Sequence, residues 1–232
     1  MFVFRDSLEA TSTDSSGSRV DVAFTDSTLD LQGLREDFPS TLARLEDTVD
    51  VPLARLSQVH GDDVLVVEAP MPLGEVPSGD ALVTTTAGLG LMVRVADCVP
   101  VLLADPASGV VGAVHAGRCG MTLDIATRAV EVMRERGAGV ITAWLGPHIC
   151  GRCYEVPAGL RDEVSAVVPE AFSETSWGTP ALDVGAGVRA QLVRAGVDVV
   201  DVSGCTLEDK ALHSYRRDGS EAGRFAGLVW LT

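Results

Sequence analysis

The sequence predicts a mixed fold, α/β or α+β, formed by a single domain over residues 1–232. From residue 81 onward, short β-rich runs bounded by Gly, Pro and Asp alternate with helix-like segments. No internal repeat with a period of roughly 20–50 residues occurs, and no low-complexity linker divides the chain. With 232 residues, 46% of them hydrophobic, the chain is long enough to bury a full core.

The N-terminal part is the least patterned. FVF predicts a short first strand, and the Ser-rich stretch SLEATSTDSSGSRV (7–20) predicts an exposed loop after it. A short helix is expected over 38–49, with Ser40 at its N-cap and apolar residues at helical spacing. The run VLVVEA (64–69) predicts a strand.

Beyond residue 80 the elements are better defined. Strands are expected in ALVTT, GLMVRVAD, VPVLLAD and VVGAVHA, with DPASG (105–109) as a tight turn, and a helix is expected over 121–137. Further strands are expected in VITAWLG, VDVVDVSG and GLVWLT, and further helices over 159–172 and 184–196.

Charge excludes some classes of partner. The chain has 33 acidic against 18 basic residues and a net charge of −15, whereas nucleic-acid binders use Lys and Arg to neutralise phosphates. We therefore expect a small-molecule partner and no nucleic acid. No uncharged apolar run of about 18 residues and no basic segment before an apolar N-terminal stretch occurs, so we expect a cytoplasmic protein without membrane contact. The oligomeric state carries no sequence signal.

Two histidines and one cysteine form the candidate site. If the two runs that flank DPASG pair, Cys98 enters the first strand and His115 leaves the second, so both lie at the open end of one hairpin. His60 could supply a third ligand. It precedes Gly61, whose missing Cβ permits close approach of the backbone to a bound group. Asp97 could orient a ligand or act as a base.

This residue set suits a catalytic metal. Imidazole and thiolate bind zinc or copper, and three protein ligands leave a coordination position open for water or substrate. Spacing alone leaves other interpretations open. Cys98 could be a small buried hydrophobe and His115 a hydrogen-bonded strand-end residue, or the two could form the nucleophile and base of a metal-free thiol hydrolase.

Other motifs are less specific. CGRC (150–153) suits a redox pair or half of a zinc knot, but a second CxxC is missing and Cys119 and Cys205 are irregularly placed, so structural thiols are expected. The arginines of SYRRDG (214–219) and Arg224 suit phosphate or carboxylate binding, or an ordinary solvated loop. The Gly-rich pieces lack the context of a dinucleotide site.

Several motifs together resemble a known family. QVHG, DALVT, ADCVPVLLAD, VHAG, LGP–I–CYEV, GCT and SYRRDG–GR–A–L–WL occur over residues 56–232 in the order found in that family. Its members were once called polyphenol oxidase or laccase-domain proteins, and are also called peptidoglycan editing factor or YfiH-like proteins. The chain resembles a bacterial member.

The resemblance implies a fold and an activity. The fold is a single-domain sandwich of two mixed β-sheets flanked by helices. His60, Cys98 and His115 would be both the catalytic residues and the ligands of one Zn²⁺, with Cu²⁺ as the second choice. The implied activity is purine nucleoside phosphorolysis of adenosine, inosine and S-methyl-5'-thioadenosine with phosphate, giving base and ribose 1-phosphate, together with adenosine deamination.

The resemblance also suggests the substrate-binding residues. Where the family often has HAG-Trp-Arg-Gly, this chain has HAGRCG, so its arginine lies one place earlier. The expected substrate-binding positions are Arg44, Gln58, Asp97, Arg118 and Arg216, with the three arginines as candidates for phosphate.

Three alternatives remain beside the phosphorylase. These are a thiol hydrolase acting on a cell-wall precursor, a copper-dependent polyphenol oxidase, and a binding protein without catalysis. The oxidase fits least, because electron transfer among several coppers needs more than the four histidines present.

Overall fold

The computed structural model describes residues 1–10, 18–74 and 76–232. In these ranges the strands are β1 (Phe2–Glu9), β2 (Arg19–Thr25), β3 (Leu53–Ala54), β4 (Val64–Val66), β5 (Ala81–Thr84), β6 (Gly90–Val95), β7 (Val99–Asp105), β8 (Val110–Ala116), β9 (Thr142–Leu145), β10 (Phe172–Glu174), β11 (Pro180–Leu182), β12 (Asp198–Asp201) and β13 (Phe225–Leu231). The α-helices there are α1 (Phe38–Val49), α2 (Arg118–Thr122), α3 (Ile125–Glu135), α4 (Ala158–Val167), α5 (Val184–Arg194) and α6 (Tyr215–Asp218).

Eleven of the thirteen strands in these ranges form two large mixed sheets, and β10 and β11 pair separately. One has the order β1-β2-β13-β6-β3, in which β3 and β6 are parallel and the other pairs are antiparallel. The other has the order β12-β9-β7-β8-β5-β4, with parallel pairs at both edges and antiparallel pairs in the centre. The expectation of two mixed sheets flanked by helices is confirmed.

The two sheets pack face to face over an apolar core. Phe24 of β2, Leu102 of β7, Trp144 of β9 and Val229 of β13 belong to this inter-sheet core and are almost completely buried. Helices α3, α4 and α5 cover the outer face of the six-stranded sheet, and α1 covers that of the five-stranded sheet. Since side chains alternate across a strand, each sheet buries apolar residues on both faces.

The hairpin of β7 and β8 forms as expected. The pairing starts at Asp105 and Val110 beside the DPASG turn, where Gly109 has a φ of 63° and the Asp105 carboxylate accepts the Ala107 amide at 3.0 Å. At the other end, Pro100 lies opposite His115. The residue before β7 and the end of β8 therefore lie at the same open end of the hairpin.

Several expectations about the N-terminal half are wrong. The first strand is longer than FVF, and the expected loop over 7–20 instead contributes to β1 and to the missed strand β2; its residues 11–17 lie outside the described ranges. The N-cap of α1 is Asp37, and Ser40 lies inside the first turn, donating its hydroxyl to the Asp37 carbonyl at 2.8 Å. The expected strand over 64–69 is only three residues long.

The expected helix over 121–137 is two helices. The break lies at Asp124, whose φ of 63° is left-handed, and α2 begins earlier than expected, at Arg118. Aspartate adopts this conformation more readily than most residues, so no Gly or Pro is needed to end the helix. The expected helix over 159–172 ends at Val167, before Pro169.

Among the helices of the described residues, none combines the length and the apolar character needed to cross a lipid bilayer.

The position of β2 in the inter-sheet core predicts that loss of a large apolar side chain from this strand destabilises the fold. Phe24 is 0% exposed, so we expect Phe24→Ala to lower the free energy of unfolding by about 3–5 kcal/mol through lost burial and the cavity left behind. Phe172→Ala is the control, because Phe172 is 56% exposed and its ring stacks with the Arg161 guanidinium at 4.3 Å, so its loss should cost less than about 1 kcal/mol. Urea denaturation measures both; similar losses would contradict this account of the core.

Candidate metal centre and cavities

The open end of the β7–β8 hairpin carries two of the three candidate ligands. Cys98 directly precedes β7 and packs against Val95 and Phe225 of the five-stranded sheet. His115 is two residues after Ala113, which faces the inter-sheet core. Both side chains therefore lie at the margin of the space between the two sheets.

Asp80 links the hairpin to the segment that carries the third ligand. Its carboxylate accepts the His115 ring nitrogen Nδ1 at 2.8 Å and the backbone amides of His60 at 3.0 Å and Gly61 at 2.7 Å. Asp80 is completely buried. Burial disfavours its charged form, but the hydrogen bonds from His115 and Gly61 outweigh burial and hold the pKa of Asp80 below its usual value.

The three candidate ligands converge. His60 has a left-handed backbone, with φ of 62°, and its Nε2 lies 3.7 Å from the Cys98 Sγ. The rings of His60 and His115 meet edge to face, with centroids 4.8 Å apart. One potential ligand atom from each of the three residues, which we call the triad, lies within 4.8 Å of the others.

Gly117 leaves the room for this convergence. A Cβ at this position would come within 2.6 Å of the His60 Cδ2 and 3.1 Å of the Cys98 Sγ. The constraint is therefore close packing against the triad, not backbone conformation, and the glycine of VHAG is part of the site.

The triad favours an anionic sulfur. Burial disfavours the Cys98 thiolate, but charge and hydrogen bonding from His115, with smaller effects from His60, lower the pKa of Cys98 to about 6. Burial likewise disfavours the His115 imidazolium, but Cys98 and Asp80 raise the pKa of His115 to about 9. The thiolate is the form of cysteine that binds metals and attacks electrophiles.

The donor set fits a soft or borderline metal ion. Because Asp80 engages Nδ1 of His115, the other ring nitrogen is free to face the triad, an arrangement usual for metal-binding histidines. Two imidazole nitrogens and one thiolate suit zinc or copper and leave a coordination position open. His60, Cys98 and His115 can hold such an ion without a change of partners at Asp80.

An aromatic cavity of about 270 Å³ opens on one side of Cys98. Its walls combine aromatic and apolar side chains with two arginines. The lining residues are Asp97, Cys98, Gly117, Arg118, Ile149, Tyr154, Val184, Tyr215 and Arg216. The Arg216 guanidinium stacks over the Tyr154 ring at 4.9 Å, and Arg118 lines the same cavity. This cavity offers a flat apolar surface next to positive charge.

A polar cavity of about 350 Å³ shares Cys98 with the aromatic cavity and is lined by all three triad residues. Its other lining residues are Gln32, Leu34, Ser57, Gln58, Arg94, Val95, Ala96 and Arg224. Burial, followed by repulsion from Arg55 and Arg224, lowers the pKa of Arg94 to about 10. Arg94 remains charged at neutral pH, so this second cavity is electropositive.

The residues expected to bind substrate do not share one cavity. Arg118 and Arg216 line the aromatic cavity, whereas Arg44 is exposed on α1 and lines neither cavity. Gln58 lines the polar cavity, but its amide is engaged by the backbone of Arg94, at 2.7 Å and 2.8 Å.

Asp97 does not contact an imidazole, and Asp80 takes the orienting role suggested for it. The Asp97 carboxylate accepts the Thr206 hydroxyl at 2.6 Å and the Arg216 amide at 2.6 Å. Asp97 also has a left-handed backbone, with φ of 85°. It therefore positions the segment that carries Arg216, with both carboxylate oxygens occupied.

Sequence reasoning missed several residues of this region. Asp80 stands in the quoted motif DALVT, where an acid directly before a buried strand was the available signal. Tyr154 stands in CYEV and Tyr215 in SYRRDG, motifs that carried the resemblance without a role for their aromatic rings. Arg94 has no comparable local signal, because only pairing with distant strands brings it to the polar cavity.

The contacts of Asp80 predict that its substitution weakens metal binding at the triad. We expect Asp80→Asn to weaken binding of Zn²⁺ at the triad about 10- to 100-fold, because the amide cannot accept all the donors that hold His60 and His115. Asp105→Asn is the control, since Asp105 is also a buried acid that accepts backbone amides, but at the opposite end of the hairpin. Competition with a chelator measures the affinity; equal effects of the two substitutions would contradict a specific role.

Sequence comparison finds bacterial relatives with a shared name. A bacterial relative from Streptomyces coelicolor named purine nucleoside phosphorylase is 56% identical over 179 residues, covering 76% of this chain and 74% of the relative. One of the same name from Mycobacterium tuberculosis is 47% identical over 195 residues, covering 82% and 77%.

Solved structures share the fold. A Neisseria meningitidis protein of the DUF152 family superposes with a TM-score of 0.78 at 30% identity, covering 97% of this chain and 98% of that one. The YfiH protein of Bacillus licheniformis gives a TM-score of 0.81 at 24% identity, covering 94% and 98%, which supports the fold alone. The family described as multi-copper polyphenol oxidoreductase laccase matches residues 23–232. Because that match spans most of the chain, the expected resemblance is confirmed, and the chain belongs to this laccase-like, YfiH-related family.

Proposed function

We propose that this protein is a zinc-dependent purine nucleoside phosphorylase. It would convert adenosine, inosine or S-methyl-5'-thioadenosine and phosphate to the free base and a ribose 1-phosphate. The observation that carries the proposal is the aromatic, arginine-lined cavity that opens directly on Cys98 of the triad. The names of the Streptomyces and Mycobacterium relatives support the same activity.

The aromatic cavity has the chemistry that a nucleoside and phosphate need. Tyr154, Tyr215 and Ile149 provide a flat apolar wall suited to a purine, and Arg118 and Arg216 provide positive charge for phosphate. In phosphorolysis a phosphate oxygen bonds to the anomeric carbon while the bond to the purine nitrogen breaks. Holding the two reactants in line lowers the barrier by orientation, and the arginines neutralise the charge of the nucleophile as it approaches.

The triad would supply the ligands of the metal. His60, Cys98 and His115 would hold Zn²⁺, with Cu²⁺ as the second choice, and the ion would supply a Lewis acid for a polar group of the substrate. Asp80 keeps the His115 ring in one tautomer through the 2.8 Å contact to Nδ1. Asp97 accepts the Arg216 amide and so keeps the start of α6 at the mouth of the aromatic cavity.

Adenosine deamination is proposed as a second activity of the same site. Attack of water on the purine ring would release ammonia and leave inosine, and it needs a Lewis acid next to a purine cavity, which the triad and the aromatic wall would provide. Phosphate dependence separates the two reactions, because adenine appears only with phosphate whereas inosine forms without it.

The main experiment measures products and metal on the same sample. Adenosine, inosine and S-methyl-5'-thioadenosine are incubated with and without phosphate, and bases are quantified by chromatography. We expect phosphate-dependent base release, and Cys98→Ala should lower kcat/KM at least about 100-fold and remove metal from the triad, because a thiolate ligand is lost. Cys119→Ala, outside the triad, should retain both. Full activity and metal content in Cys98→Ala would refute the proposal.

The choice of phosphate-binding arginine gives a second test. Arg118→Gln should raise the KM for phosphate about tenfold or more, because a charge-assisted hydrogen bond is lost at the aromatic cavity. Arg44→Gln should leave the KM unchanged, since Arg44 lies on the exposed side of α1 and lines neither cavity. Steady-state kinetics with varied phosphate decide between them, and the reverse pattern would assign phosphate to Arg44.

A metal-free thiol hydrolase acting on a cell-wall precursor is the second candidate. It rests on the lowered pKa of Cys98, about 6, and on the raised pKa of His115, about 9, which together describe a thiolate next to an imidazolium. Metal analysis distinguishes the candidates. Zinc that is present in protein purified without added metal and is lost in Cys98→Ala supports the phosphorylase, whereas rapid alkylation of Cys98 in active protein without zinc at the triad supports the hydrolase.

Copper-dependent phenol oxidation has less support from the histidines. Beyond His60 and His115, the ring of His148 contacts the Gly146 carbonyl through Nδ1, and that of His213 contacts the Leu29 carbonyl through Nε2. Neither belongs to the triad. Electron transfer among several coppers needs more imidazoles close together, so the name of the family does not carry over to the activity proposed for this chain.

A further inference from the structure

A second group of metal-binding side chains lies outside the triad. The CGRC motif has a partner that its sequence does not reveal. Sulfurs of Cys150, Cys153 and Cys205 and a carboxylate oxygen of Glu208 all lie within 4.8 Å of one another. Cys205 and Glu208 have the same two-residue spacing as the cysteines of CGRC. The missing second half of the pattern is therefore a Cys-x-x-Glu sequence.

The first pair of ligands sits on a tight turn. The amides of Cys153 and Tyr154 both donate to the Cys150 carbonyl, at 2.9 Å and 3.0 Å. Such a turn brings side chains three residues apart to the same side of the chain. Cys150 is half-buried and Cys153 is buried, so the turn holds both sulfurs against the interior of the protein.

The second pair sits on a turn with the same pattern of hydrogen bonds. The amides of Glu208 and Asp209 both donate to the Cys205 carbonyl, at 3.2 Å and 2.9 Å. Two turns of matching geometry, each with a ligand at its first and fourth positions, are the usual way in which closed zinc sites take two ligands from each of two segments.

Backbone hydrogen bonds hold the two turns side by side. The His148 amide donates to the Gly204 carbonyl, and the Thr206 amide donates to the His148 carbonyl, both at 3.0 Å. The Cys150 amide also donates to the Cys205 sulfur at 3.5 Å. Backbone hydrogen bonds around His148 therefore fix the relative position of the two turns, and one further contact joins the ligand residues Cys150 and Cys205 themselves.

The dimensions and chemistry suit a cation better than a redox pair. Zinc–sulfur bonds of about 2.3 Å place the sulfurs of a tetrahedral site about 3.8 Å apart, inside the limit observed here. The five cysteines are free thiols. A redox pair needs only two sulfurs, whereas three sulfurs and a carboxylate oxygen converge here.

The geometry points to a closed structural site in which Cys150, Cys153, Cys205 and Glu208 bind one soft divalent cation, with Zn²⁺ as the expected ion. Each cysteine would bind as thiolate and lose its proton to water. Three sulfurs and one carboxylate oxygen complete a tetrahedron without an open position, so this cation would have no catalytic role. The site is independent of the function proposed for the triad.

The cation would nevertheless brace the aromatic cavity. The segment of the first turn carries the lining residues Ile149 and Tyr154, and the second turn includes Thr206, whose hydroxyl donates to Asp97 at 2.6 Å. The Ile149 amide in turn donates to the Asp97 carbonyl at 3.0 Å. Loss of the cation would therefore loosen the wall of the cavity without removing any residue that lines it.

Cobalt substitution tests the site in the full-length protein. Cys98→Ser first removes the thiolate of the triad. Reduced, metal-free Cys98→Ser protein is then titrated with Co²⁺ under anaerobic conditions. We expect one equivalent to bind with the intense sulfur-to-cobalt absorption of a tetrahedral thiolate site, and Zn²⁺ to displace it. Absence of this absorption would overturn the proposal.

Matched variants assign the ligands. Adding Cys205→Ser should abolish the absorption and weaken Zn²⁺ binding at least a hundredfold, whereas adding Cys119→Ser should change neither. If Cys205→Ser destabilises the fold, Glu208→Gln serves instead, because Glu208 is exposed: zinc affinity should fall about tenfold with an unchanged circular dichroism spectrum. Retained absorption in folded Cys205→Ser, or unchanged affinity in Glu208→Gln, would contradict the ligand set.

Discussion

The buried carboxylate of Asp80 is the interaction on which the candidate metal centre depends. One side chain accepts hydrogen bonds from the His115 ring and from the backbone of residues 59–61, so it joins the end of β8 to the left-handed segment at His60. A buried charge is tolerated only when its hydrogen-bonding capacity is filled, and this requirement ties the two segments together. Two of the three candidate ligands thus owe their positions to the same group, which itself touches neither cavity.

Local sequence signals predict the central β7–β8 hairpin, but they do not predict strand β2 or the helix break at Asp124. The β7–β8 hairpin was predictable because DPASG combines turn residues with apolar runs on both sides. Strand β2 was missed because a Ser-rich stretch precedes it, and its place between β1 and β13 depends on pairing with residues at the other end of the chain. The break at Asp124 has no breaker residue, since it arises from one left-handed backbone conformation.

The candidate site shows the same division. Cys98 and His115 follow from the hairpin register alone, whereas the part played by Asp80 follows only from the pairing of β5 with β8. CGRC looked unpaired because its counterpart lies beyond two helices and ends in a carboxylate, so a search for cysteines alone could not find it. Arginines are the hardest to assign from sequence, since tertiary packing decides what their long side chains reach. Arg217 donates to the Thr206 and Leu212 carbonyls, whereas its neighbour Arg216 donates to the Glu155 carbonyl and also lines the aromatic cavity.

Cys98 belongs to the walls of both cavities, and the two differ in character: one is mainly aromatic, the other polar and electropositive. This shared wall has a consequence for inhibitor chemistry. A single molecule that carries a flat ring at one end and an anionic group at the other, joined by a short linker passing over the Cys98 sulfur, would engage both compartments at once. Once one end of the molecule is bound, binding of the other end is intramolecular, so its effective concentration is set by the length of the linker and not by the concentration of the molecule. A linker too short to pass over the sulfur would give no increase in affinity.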